Sequence, residues 1–71
     1  MARFANLEGE LVRAGLNKSE LALYLGISTG SISAKFTGAT EFKLAEMERI
    51  RDRLSGDERD LTLDYLFKRD E

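Results

Sequence analysis

LNKSELALYLGISTGSISAKFTG, residues 16–38, is the stretch whose reading decides the fold. Two short helices joined by a tight turn account for it. Asn17 is placed to accept the backbone N–H of Glu20, whose carboxylate can reach back to the Asn17 N–H in the reciprocal half of a capping box. Leu21, Ala22 and Leu25 recur at helical spacing and form one apolar face. Gly26 then supplies a residue free to take the positive φ on which many helices end. Ile27 turns back toward the core, Ser28 caps a second helix predicted over Thr29–Thr37, and Gly38 closes it as Gly26 closed the first. Ile32 and Phe36, four apart, face inward on that second helix, while Thr29, Gly30, Ser33 and Thr37 face outward.

Ala22 is small enough for the second helix to cross the first closely. With Gly26 four residues later and Ile32 six after that, this arrangement resembles the helix-turn-helix of the phage repressor/Cro family, also called the XRE family. The resemblance extends over residues 6–67. It sharpens at Lys35-Phe36-Thr37-Gly38 with the following Phe42-Lys43-Leu44, and includes the closing segment LTLDYLF. It implies an all-α, five-helix, lambda-repressor-like DNA-binding domain, one domain over residues 1–71, with the helix-turn-helix at about residues 17–38. The function implied is sequence-specific binding of double-stranded DNA by a small phage or prokaryotic transcriptional regulator of the Cro/repressor type.

By position, the resemblance also implies roles. Thr29, Gly30, Ser33 and Ala34 would read base edges from the major groove, Ala34 through a thymine methyl. Lys18 would contact backbone or support a base contact. Thr37, Thr40 and Lys43 would touch phosphates, and Ser28, at a helix N-terminus, would favour one as well. Lys35 has two readings, contact with base or phosphate and simple solvation. The helix departs from the usual pattern in lacking Arg, Gln and Asn, the side chains that grip guanine or adenine in a bidentate way. That leaves modest specificity, readout of DNA shape, and a module that binds protein instead (antitoxin-like, or the partner of an anti-repressor) all open.

Composition limits the alternatives. Seventy-one residues without cysteine make one small core, no disulfide framework and no thiolate metal site. No apolar run approaches the roughly 20 residues of a membrane span, so the expectation is a cytoplasmic, nucleoid-associated protein with no membrane partner. Proline is absent and helix formers abound. The net charge of −2 is uneven: residues 11–43 carry +2 and residues 44–71 carry −3. The acidic excess therefore lies away from the proposed reading helix, where it limits adhesion to arbitrary DNA.

Three more helices complete the expectation. Phe4, Leu7, Leu11 and Ala14 predict one over residues 4–14, with Gly15 closing it. Phe42 anchors a loop before a fourth helix over Leu44–Leu54, whose apolar stripe is Leu44, Met47, Ile50 and Leu54. Its charged flank reads as solvated, with i,i+3 pairs Glu46–Arg49 and Glu48–Arg51 available. An acidic loop at residues 57–60 leads to a short helix over residues 63–67 capped by Thr62, and residues 68–71 form a frayed tail. The expected core is Leu7, Leu11, Leu21, Ala22, Leu25, Ile27, Ile32, Phe36, Met47, Ile50 and Leu66.

The inventory for chemistry is short. Histidine and cysteine are both absent, which removes the commonest general base, the thiol nucleophile and the usual zinc ligands. The serines have no base at a recognisable spacing, so catalytic residues, metal sites, cofactors and small-molecule ligands are not expected. One reading helix contacts too few base pairs to select a genomic site, which points to a weak homodimer on a palindromic operator. Leu63, Tyr65 and Phe67 are the candidate contact for it. Alternatively, Leu63, Leu66 and Phe67 cap the monomer core and only Tyr65 lies outside.

Overall fold

Helix ends in this chain are written into single side chains, and a computed structural model, which describes residues 4–56 and 60–69, shows them in use. Five helices follow in order: α1 (Ala5–Arg13), α2 (Lys18–Leu25), α3 (Thr29–Thr37), α4 (Leu44–Leu54) and α5 (Leu63–Leu66). The described residues are thus all-helical, without a strand. At the start of α2, Asn17 Oδ1 accepts the Glu20 N–H at 2.8 Å and Glu20 Oε1 accepts the Asn17 N–H at 3.1 Å. Ser28 accepts the Ser31 N–H and Thr62 accepts the Tyr65 N–H, both at 3.1 Å. Each such cap satisfies a backbone donor that the helix itself leaves open, and is worth about 1 kcal/mol.

The two ends of the α2–α3 unit close alike. Gly26 and Gly38 take φ of 75° and 88°. That turn lets the Ile27 N–H reach the Ala22 carbonyl at 3.0 Å and the Ala39 N–H reach the Ala34 carbonyl at 2.9 Å. A side chain at either glycine would be strained in this left-handed conformation.

Each helix contributes one fully buried large side chain: Leu7, Leu21, Ile32, Ile50 and Leu66. Around them are Phe4, Leu11, Ala22, Leu25, Phe36 and Leu61. Burying one such side chain stabilises the fold by about 1.5–3 kcal/mol. The chain's four phenylalanines also meet edge to face. The Phe42 ring lies 5.4 Å from Phe4, 5.7 Å from Phe36 and 5.1 Å from Phe67, centroid to centroid, the geometry that the aromatic quadrupole favours. The start of α1, the end of α3, the following loop and the chain end are therefore joined through one aromatic cluster.

Several expectations need correction. Ile27 and Met47 are only partly buried, whereas Phe4 and Leu61 belong to the core. Leu44, the first residue of α4, is 60% exposed and lies outside the core. The pairs Glu46–Arg49 and Glu48–Arg51 do not form. Arg49 instead stacks over the Tyr24 ring at 5.0 Å, donates to the Tyr24 carbonyl at 2.9 Å and accepts the Tyr24 hydroxyl at its own carbonyl at 3.3 Å. This clasp links α2 to α4, and a contact across the fold outcompetes one along a helix face. Tyr65 is less free than expected: its hydroxyl donates to buried Glu10 at 2.9 Å, and Asn6 Nδ2 donates to its carbonyl at 2.9 Å, so α5 is tied to α1. The acidic loop lies outside the described residues except for Asp60, as do the last two residues of the expected tail.

Candidate nucleic-acid interface

The candidate site is built on α3, and α2 places it. These two helices share the most extensive helix–helix contact of the chain. Ala22 sits in it at 1% exposure, and Ile32 and Phe36 are turned inward. Because those residues occupy one side of a nine-residue helix, the opposite side projects outward with Thr29, Gly30, Ser33 and Thr37 exposed and Ala34 half-buried. At 1.5 Å per residue the helix is about 13 Å long, comparable to the roughly 12 Å width of a DNA major groove.

Not every hydroxyl on this face is available. Ser28 Oγ accepts the Ser31 N–H and donates to Ser31 Oγ at 3.0 Å, and Thr37 Oγ1 donates to the Ala34 carbonyl at 3.0 Å. Thr29 and Ser33 make no such side-chain bond among the described residues, so they are the hydroxyls best able to meet a partner. Gly30 is unusual in another way. A methyl added there would meet only Ser28 Oγ, at 3.9 Å, so nothing within the chain requires a glycine. Gly30→Ala is expected to stabilise the fold by about 0.5 kcal/mol through helix propensity. It should weaken partner binding if the bare backbone is there for close approach. Paired thermal melts and binding titrations check both halves, and a destabilised variant would contradict the first.

An open groove of about 690 Å³ runs beside α3, bordered by Gly30, Ala34, Thr40, Glu41 and Lys43 among others. Thr40 and Lys43 are exposed there, and Lys43 forms no ion pair among the described residues. Glu41, also exposed, sets a negative charge beside them.

The two other lysines are placed differently. Lys18 Nζ pairs with Glu8 at 3.0 Å and lies 4.6 Å from the centroid of the Phe36 ring, so it holds α1, α2 and α3 together besides facing solvent. Lys35 satisfies neither expectation. It is 8% exposed, and its ammonium donates to the Glu46 carboxylate at 3.0 Å and to the Glu41 carbonyl at 3.1 Å. An ammonium so enclosed is neither solvated nor turned toward a partner on the outer face. Its place one residue before buried Phe36 gave no signal of this, because Glu46 lies across the loop on another helix.

Glu46 is the electrostatic centre of this corner. Burial pushes its carboxyl up. The Lys43 backbone N–H, the Lys35 hydrogen bond and the charges of Lys35 and Lys43 outweigh that burial and hold it below the ordinary value of 4.5. A folded-state pKa below the unfolded one means the ionised group favours the folded state. That stabilisation is present above about pH 4.5 and disappears as pH falls through the lowered value. Melting temperatures taken between about pH 3 and pH 6 should therefore fall less steeply in Glu46→Gln than in the parent. An identical acid dependence in both would place the linkage elsewhere.

No helix among the described residues is long and apolar enough to cross a membrane. No protein-family model, curated protein or solved structure matches this chain.

Proposed function

We propose that the chain is a helix-turn-helix protein of the repressor/Cro type that binds duplex DNA with α3 in the major groove. The observation that carries this reading is the α2–α3 unit. Ala22 and the Gly26 turn hold α3 across α2, and one face of α3, of groove length and lined with small polar side chains, projects uncovered. Thr29, Gly30, Ser33 and Ala34 meet base edges, and Thr40 and Lys43 lie where phosphates run beside such a helix. Few lysine ammonium groups are left for phosphate contacts at this site, because Lys35 is paired internally and Lys18 is shared with Glu8.

Selection of bound sites from random duplexes tests the reading directly. A recovered consensus supports it, and a symmetric consensus with half-sites about 10 base pairs apart supports binding as a pair of copies. For that pair the surface left over is modest, since Phe67 contributes its ring to the aromatic cluster and Tyr65 its hydroxyl to Glu10. Exposed parts of Leu63 and Tyr65 are what a second copy would meet. On the selected duplex, Lys43→Ala should weaken binding to all sequences alike and make the dependence of log K on log salt shallower by about 0.9. An unchanged slope would remove Lys43 from the phosphate contacts.

A second reading, a helix-turn-helix module that docks on protein, is favoured by one observation. The outer face of α3 carries no charged side chain, and in the loop beside it exposed Lys43 is accompanied by exposed Glu41. Failure of the selection to recover any duplex would favour this alternative.

A further inference from the structure

We propose that Lys35 and Glu46 are a positioning pair for DNA binding: they hold residues 41–43 against α3, and the phosphate grip of Lys43 depends on them. The inference rests on the DNA reading above and concerns how that site is assembled.

The observation is a junction at one carboxylate oxygen. Glu46 Oε1 receives the Lys35 ammonium at 3.0 Å and the Lys43 backbone N–H at 2.9 Å, while the same ammonium donates to the Glu41 carbonyl at 3.1 Å. Side-chain exposure is 10% for Lys35 and 17% for Glu46, so water screens the pair little. The loop between α3 and α4 is thereby held at residues 41 and 43. Its first part is pinned by the Ala39 and Thr40 N–H groups, which donate to the Ala34 carbonyl at 2.9 and 3.3 Å. Phe42 is seated among the other phenylalanines. What the junction adds is the position of the last loop residue, the one that carries the exposed ammonium of Lys43.

Stability alone does not explain the pair. Enclosing an ammonium and a carboxylate carries a desolvation cost that their attraction roughly repays, and apolar side chains of similar volume often do as well. A loop with two charged or hydroxyl side chains aimed at phosphates has a requirement that apolar packing meets poorly. Its backbone must hold one geometry when the partner arrives, and a directional hydrogen-bonded junction sets that geometry.

The test uses the full chain and the duplex selected with it, titrated at several salt concentrations. Lys35→Met keeps the length and apolar stem of the side chain and removes the ammonium's bonds to Glu46 and to the Glu41 carbonyl, leaving the Glu46–Lys43 N–H bond without its tie to α3. Folding is checked by circular dichroism. The expected result is binding about tenfold weaker, with a salt slope shallower by about 0.9, the mark of one lost phosphate contact. Adding Lys43→Ala to Lys35→Met should then change affinity less than twofold, because the contact it deletes is already lost. Should Lys35→Met fail to fold, Glu46→Ala with and without Lys43→Ala gives the same comparison. Parental affinity and slope in the folded variant would leave the pair merely structural. Losses that multiply would mean that Lys35 acts independently of Lys43. Either result overturns the proposal while the parent still binds DNA. A parent that selects no duplex overturns the DNA reading, and this proposal with it.

Discussion

Ser33→Glu is expected to abolish binding to the selected duplex while leaving the melting temperature of the chain unchanged. Ser33 stands midway along the uncovered face of α3, exposed and without a side-chain bond among the described residues. Glutamate is at least as good a helix former as serine, so the folded state should shift by no more than about 0.5 kcal/mol. Against DNA the same carboxylate would face a groove flanked by phosphates. Like charges opposed at an interface cost several kcal/mol, and a loss of at least about 100-fold follows. Fluorescence anisotropy with the selected duplex, read beside a thermal melt, measures the two effects separately. Parental affinity in this variant would move the reading face off α3.

Ala22→Leu should do the reverse and strike the fold itself. Ala22 is 1% exposed in the α2–α3 crossing, with buried Leu21, Leu25, Ile32 and Phe36 contributed by the same two helices. A leucine there must force the helices apart or adopt a strained rotamer, at a cost of about 1–3 kcal/mol. A chain of 71 residues has on the order of 4–10 kcal/mol of total stability, so the loss is a large fraction of it. The corresponding fall in melting temperature is roughly 5–20 °C. A variant that melts with the parent would show that the crossing does not depend on a small residue at this position.

Helix boundaries were legible because the information is local. Asn17 with Glu20, Ser28, Thr62, Gly26 and Gly38 each act within four residues of themselves, and each acts in the structure as its chemistry predicts. The uncovered face of α3 was legible for a similar reason. Once Ile32 and Phe36 are assigned inward, the helical period places Thr29, Gly30, Ser33 and Thr37 on the other side. The site's charges were not legible in this way. Lys18, Lys35 and Lys43 look alike in the sequence, yet one is shared with Glu8, one is enclosed by Glu46 and Glu41, and one is exposed.

The sequence by itself determined where this chain is helical, where α2 and α3 stop and which side of those two helices is apolar. Caps, glycines and periodicity act over a turn or two of backbone, and nothing distant has to be known to read them. Only the tertiary structure decided that Phe4, Phe36, Phe42 and Phe67 form one cluster. It alone clasped Tyr24 to Arg49, left Leu44 outside the core and turned Lys35 inward. These residues lie at separations that follow no period, and an ammonium or an aromatic ring is satisfied by whichever neighbour the packing of five helices brings within reach.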